Sequence, residues 1–237
     1  MSTTTRLASP EEVEYPDSDG EPMAENTLQY EWITTIKGGL DAVFRDDPDV
    51  FVEGDLLWYP VEGDNTTRMA PDAMVAFGRP KGHRGSYMQW REGGIAPQVV
   101  FEVLSPGNRA GELARKFQFY ERFGVEEYYI YDPDNGALEG WLREGGTLRK
   151  IPEMNGWVSP RLGVRFELDG IQLHLYHPDG RPFLSFSELT RQADEQRQQL
   201  DEQRQQLDEQ RQQLDEQRRR VERLAAQLKA LGIEPEP

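Results

Sequence analysis

The chain contains no cysteine among its 237 residues. That excludes disulfides, thiolate zinc sites and a cysteine nucleophile, and it fits a reducing compartment. Histidine is nearly as scarce. His83, His174 and His177 are too few to build a histidine-rich metal centre. His174 and His177 fall in the alternating stretch 171–177, where a structural or surface role is expected. Long apolar runs are missing as well: none approaches the roughly 20 residues needed to cross a bilayer. The N-terminus lacks the positive flank and apolar stretch of a secretory signal. The expectation is a soluble, cytoplasmic protein with no membrane partner.

Net positive charge is also lacking. The formal charge is −16, and from Arg191 onward eleven acids face nine bases, so residues 1–190 carry −14. This surplus opposes a broad electrostatic grip on nucleic acid, which rests on Lys and Arg. Divalent cations held by carboxylates would relieve some local charge, but not the excess over the whole surface.

Residues 1–22 are rich in Thr, Ser, Pro, Glu and Asp and are expected to be disordered or loosely attached. A domain follows over 23–190. Its first element is a helix over 24–45, with Leu28, Trp32, Ile36, Leu40 and Val43 at spacings of three and four. Strand-like runs come next at 50–59 and 73–77, then a glycine-rich basic loop at 78–94. Residues 98–104 are apolar on both alternating faces, which suits a central buried strand. A helix over 109–123 sets Leu113, Phe117, Tyr120 and Gly124 along one stripe, with Gly124 as C-cap. After a strand at 128–131, residues 137–175 read as short antiparallel strands separated by turns. This mixed order predicts an α+β fold with helices packed on a sheet.

Three ionisable residues stand out within that plan. Asp72 follows Pro71 and directly precedes an apolar run, so it sits at the mouth of the sheet; a turn or capping aspartate is the alternative. Glu102 interrupts the apolar run Gln-Val-Val-Phe-Glu-Val-Leu at 98–104. Val100 and Leu104 share its face, while Val99, Phe101 and Val103 point the other way. A carboxylate enclosed in this way needs a cation or hydrogen bonds, and pairing with a buried arginine is the structural alternative. Lys116 flanks the apolar stripe of its helix on the side of Glu112. From there it could reach over the end of the Glu102 strand, or form an ordinary i,i+4 pair on a wet face. Two carboxylates at neighbouring strand ends with a lysine nearby are what metal-assisted phosphodiester hydrolysis requires. The basic loop adds Arg79, Lys81 and Arg84, with Arg91, Tyr87 and Trp90. This patch could contact a nucleic-acid strand near Asp72, or be an exposed flexible loop.

Pro71-Asp72, Phe-Glu-Val-Leu-Ser-Pro at 101–106, Lys116 with Tyr120, and Gly-Val-Glu-Glu-Tyr-Tyr-Ile-Tyr-Asp-Pro at 124–133 together resemble the Uma2-type restriction endonuclease family. That bacterial family lies within the PD-(D/E)XK nuclease superfamily, and the resemblance covers roughly residues 22–178. It implies a restriction-endonuclease-like core, a mixed β-sheet flanked by helices. It further implies that Asp72 and Glu102 bind Mg²⁺ or Mn²⁺, and that Lys116 serves as a catalytic lysine that has migrated to the following helix. In the superfamily the lysine normally sits two residues after the acid, where this chain has Leu104. A first-helix glutamate often completes the metal site; Glu25 is the candidate here, with Glu31 as the alternative.

The tail is a separate object. Asp-Glu-Gln-Arg-Gln-Gln-Leu occurs at 194–200, 201–207 and 208–214, and Leu200, Leu207, Leu214, Val221 and Leu228 recur every seven residues. With these at position a, position d holds Gln203, Gln210 and Gln217, then Leu224 and Leu231. A heptad helix over 191–233 is expected, followed by a flexible end at 234–237. Half of its seam is polar through three heptads, so the alternatives are a homodimeric coiled coil and a solvated single helix.

The leading expectation is therefore a Mg²⁺-dependent DNA endonuclease. The alternative is a catalytically inactive nuclease-fold interaction protein that assembles through its C-terminal coiled coil. Within the nuclease reading, the residues do not select among duplex DNA, branched DNA, single strands and RNA.

Overall fold

The computed structural model describes residues 13–18, 20, 22–107 and 110–230. The chain divides into two compact units at the Ser185–Phe186 boundary. Expectations for residues 1–12, for Asn108 and Arg109 at the second helix start, for Leu231 and for 234–237 lie outside the described residues.

The first unit opens with α1 (Thr27–Val43), capped by Asn26, whose side chain accepts the Gln29 amide at 2.8 Å. Its buried stripe is Gln29, Ile33, Ile36, Gly39 and Leu40. The sequence stripe through Leu28 is rotated by about one residue, since Leu28 is exposed. Chain order then runs β1 (Val50–Glu53), β2 (Trp58–Tyr59), β3 (Ala73–Phe77), β4 (Tyr87–Met88), β5 (Val99–Val103), α2 (Ala110–Phe123), β6 (Glu127–Asp132), β7 (Ala137–Glu144), β8 (Thr147–Lys150), β9 (Arg165–Asp169) and β10 (Gln172–Tyr176). The single run expected at 50–59 is interrupted because Asp55 adopts φ 51°.

Six strands form one mixed sheet in the order β1-β3-β5-β6-β7-β8. Only β5 and β6 are parallel neighbours in it, with α2 as their crossover. The other pairings are antiparallel. All five residues of β5 are buried. Val99, Phe101 and Val103 pack into one core cluster with Ile33, Ile36 and Leu40 of α1 and with Phe166, Leu173 and Leu175 of the β9–β10 hairpin. Val100 packs on the opposite face with Tyr120 of α2 and Tyr128 of β6. Each fully buried aliphatic side chain contributes about 1.5–3 kcal/mol, which is why β5 fixes the sheet's position. The α+β architecture matches the sequence expectation, with helices on both faces.

Part of the N-terminal stretch is packed rather than loose. The Tyr15 ring lies 5.2 Å from that of Tyr59 and 5.0 Å from that of Trp90, and the Tyr59 hydroxyl donates to the Pro16 carbonyl at 2.7 Å. One aromatic residue supplies the apolar area that the surrounding polar composition hides.

The second unit is α3 (Phe186–Ala230), a helix of 45 residues with no buried residue. It begins five residues before the expected 191. No helix among the described residues is long and apolar enough to cross a membrane.

Candidate active site

The β3–β5 register pairs Ala73 with Phe101 and Met74 with Val100. Extended by one residue, it sets Asp72 opposite Glu102, and opposite residues of an antiparallel pair share a face. Two local features hold Asp72 there. The Asp55 amide donates to the Pro71 carbonyl at 3.0 Å. Gly54 lies so close that a Cβ would stand 3.0 Å from the Asp72 carbonyl oxygen, so a larger residue would fit only if that carbonyl gave by a few tenths of an ångström. The Val103 amide donates to Asp72 Oδ2 at 2.6 Å. The Val103 carbonyl in turn accepts Gln29 Nε2 at 2.8 Å. The Val103 peptide thus links the first helix to the aspartate.

Glu102 is 2% exposed, and its oxygens are divided between two side chains of α2. Lys116 Nζ donates to Oε2 at 2.6 Å, and the Tyr120 hydroxyl donates to Oε1 at 2.5 Å. Residues four apart on a helix present one face, so a single turn of α2 supplies both partners. The helix ends at Gly124, where φ is 100° and the Val125 amide turns back to the Tyr120 carbonyl at 3.1 Å.

Electrostatics follow from this enclosure. Burial raises the Asp72 carboxyl well above its ordinary 3.8; the neighbouring Glu102 charge raises it further, while Lys116 and the Val103 amide oppose. Asp55 adds a smaller push in the same direction. Burial works against the Lys116 ammonium, yet the Glu102 and Asp72 charges and the Glu102 hydrogen bond outweigh it and hold the pKa above 10.5. Burial, then the Glu102 charge, lifts the Tyr120 hydroxyl well above 10. Tyr128 lies on the same face; among the described residues its buried hydroxyl has no hydrogen-bond partner. Burial and the charges of Glu102 and Asp72 raise it too.

Asp72, Glu102 and Lys116 are therefore brought together on one face. Glu25 is exposed, and its carboxylate accepts the Ser105 hydroxyl. Glu31 is exposed as well. Among the described residues, no three His, Cys, Asp or Glu side chains gather closely enough to hold a metal. The oxygen donors present are two carboxylates, of which Asp72 is pushed toward its neutral form first by burial and then by the Glu102 charge; they still fit a hard divalent cation. Mg²⁺ takes one or two carboxylates and fills its remaining positions with water and phosphate.

The basic loop is engaged internally. Arg79 and Arg84 both bind Glu92, at 2.9 and 2.7 Å, and the Arg84 guanidinium lies 4.0 Å over the Phe51 ring. Lys81 Nζ donates to the Phe44 and Arg45 carbonyls. Glu92 is held below its ordinary 4.5 by the two arginines, against the effect of burial.

Sequence reasoning missed Gln29, whose signal is a polar residue four before Ile33 on a buried helical stripe. It also missed Tyr128, which no local pattern distinguishes from Tyr129. A second buried carboxylate, Glu127, is unconnected with these residues. It accepts the Tyr129 and Ser159 hydroxyls and the Arg161 amide, and it has the character of a structural group.

No curated protein matches the chain. A solved structure described as a "putative nuclease belonging to DUF820", from Anabaena variabilis, is similar at 14% identity and a TM-score of 0.43, covering 57% of this chain and 72% of that one. The family model Uma2, described as "Putative restriction endonuclease", matches residues 5–182. With three quarters of its length under that model, the chain belongs to the Uma2 family.

Proposed function

We propose that this protein is a divalent-metal-dependent DNA endonuclease that hydrolyses phosphodiester bonds, with Asp72 and Glu102 holding Mg²⁺ or Mn²⁺ and Lys116 assisting. The observation that carries the reading is the cross-strand pair of carboxylates beneath one ammonium group, with Lys116 Nζ 2.6 Å from Glu102. A cation on these oxygens supplies Lewis-acid polarisation of the phosphodiester and a more acidic water.

The chain's own residues do the rest. The Val103 amide fixes the orientation of Asp72, and Tyr120 fixes that of Glu102. Lys116 stays protonated and has three N–H donors, of which Glu102 takes one. A remaining donor is suited to orient the attacking water or to stabilise charge developing on phosphate oxygens. The heptads of α3 bring two copies together, giving two sites for two strands.

A second reading is a non-catalytic interaction protein built on the same scaffold. The net charge of −16 and the full engagement of Glu102 by Lys116 and Tyr120 favour it. The test is incubation of purified protein with plasmid in Mg²⁺ or Mn²⁺, beside Asp72→Ala, Glu102→Ala and Lys116→Ala. The nuclease reading expects cutting by the parent and loss in each variant. No cutting with either metal, or cutting that survives all three substitutions, removes it.

A further inference from the structure

The heptad frame extends beyond the repeats in both directions. Counted back from Leu200 at position a, Phe186 and Ala193 take position a and Leu189 takes position d, so the seam starts at the first residue of α3. Phe186 is 84% exposed and Leu189 is half exposed. At the far end, Val221, Leu224 and Leu228 restore an apolar a/d seam and are likewise exposed. Large apolar side chains on one continuous line of a solvated helix need a partner surface of the same pitch. A second copy of this helix provides one.

We infer that α3 pairs with α3 of a second copy in parallel and in register. The inference rests on the pairing of two copies stated above, but not on hydrolysis, and it adds the direction. Flanking charge decides that direction. Arg197, Arg204, Arg211 and Arg218 all fall at position e, while Gln192, Gln199, Gln206 and Gln213 fall at position g. Antiparallel coiled coils set e against e, which would stack arginine on arginine through four heptads. Parallel ones set e against g, where each arginine meets a neutral amide.

The core layers agree. In parallel, leucine packs on leucine at a, and glutamine meets glutamine at d, where two amides can hydrogen-bond each other. Antiparallel packing sets a against d, burying each repeat leucine beside a glutamine with no amide partner.

Three identical heptads cannot by themselves resist a slip of seven residues, because each layer would meet its own copy. The unique ends resist it. In register, Phe186 meets Phe186 and Leu224 meets Leu224; a slip of seven sets Phe186 against Ala193 and Leu224 against Gln217. Terminal layers therefore pin the register that the repeats leave open.

Because the chain has no cysteine, a single Val221→Cys substitution in the full chain gives one thiol. Its mass under reducing conditions is expected to be about twice the 27.3 kDa of one chain. Mild oxidation is expected to convert most of it to a covalent dimer that reductant reverses. A monomeric mass overturns the pairing itself. A dimer in which Val221→Cys stays unlinked, but links when mixed with Gln196→Cys, is antiparallel and overturns the direction. More efficient linkage on mixing with Leu214→Cys than alone indicates a slip and overturns the register. None of these readouts depends on cleavage, so a failure here is separate from a failure of the nuclease reading.

Discussion

The Val103 amide donates to Asp72 Oδ2 at 2.6 Å, so the aspartate is oriented by the backbone of the strand that carries Glu102. Asp72→Asn separates geometry from charge. An asparagine oxygen can accept the same amide, and the substitution removes the two effects that raise the Asp72 carboxyl, the burial of its charge and, second, the repulsion from Glu102. The variant is expected to fold with undiminished thermal stability. Plasmid cleavage is expected to fall on the order of 100-fold or more, because an amide is a poor ligand for a hard cation. Full activity in a folded Asp72→Asn protein would rule the aspartate out as a metal ligand.

Tyr120 and Tyr128 form a matched comparison. Their rings lie 5.0 Å apart on one face, but among the described residues the Tyr120 hydroxyl has a partner, Glu102, and the Tyr128 hydroxyl has none. Tyr120→Phe is expected to cost about 1.5–3 kcal/mol, the range for hydrogen bonds to charged groups. Tyr128→Phe removes a buried hydroxyl without a partner and is expected to be neutral or stabilising. Denaturant unfolding of the two variants reads the difference, and equal losses would contradict the assignment of the Glu102 hydrogen bond.

Much of this arrangement was legible in sequence. An acidic residue inside the apolar run at 98–104 marks an enclosed carboxylate, and Pro-Asp before a second apolar run marks its neighbour. The spacing from Lys116 to Tyr120 puts both on one helical face. The pairing register was not legible, because a strand's alternation gives its faces but not its partner's offset. Gln29 was hidden since hydrophobicity favours a stripe through Leu28, whereas the Val103 carbonyl needs a donor and draws the glutamine inward. Glu127 was equally hidden. It adjoins Glu126, and beside the nearby Tyr129 hydroxyl it is the distant Ser159 and Arg161 that distinguish the enclosed one of the two. The break in the 50–59 run depends on the positive φ of Asp55, a conformation uncommon outside glycine.

Glu127 gives a pH prediction that does not involve the proposed metal site. Burial raises its carboxyl above 4.5, only partly offset by the Ser159 and Tyr129 hydroxyls and the Arg161 amide. The folded state therefore holds this proton more tightly than the unfolded chain. Its contribution is most favourable at and below pH 4.5 and is lost as pH rises through the folded value. Glu127→Gln keeps a neutral group in place at all pH values. Thermal unfolding followed upward from pH 4.5 is expected to show a flatter decline for this variant, with higher stability than the parent at neutral pH. A parallel offset at every pH would mean that Glu127 is not the group responsible.

Lys116→Met distinguishes a structural ion pair from a cation-ready site. The lysine side chain is 13% exposed and Glu102 only 2%, so methionine keeps most of the packing but leaves Glu102 without its charged partner. Breaking a buried pair costs about 3–5 kcal/mol, and the residual exposure of Lys116 favours the low end. Were Glu102 only a structural carboxylate, Mg²⁺ would shift the melting temperature of parent and variant alike. If Glu102 binds a cation, the ion has an uncontested carboxylate in the variant and stabilises the fold by mass action. The expected result is a large loss of stability without metal, a greater recovery on adding Mg²⁺ or Mn²⁺ than the parent shows, and cleavage that stays low because the ammonium donor is gone. Melting curves with and without metal measure the first two, and a plasmid assay the third. Equal metal shifts in both proteins would assign Lys116 and Glu102 to holding the sheet rather than to hydrolysis.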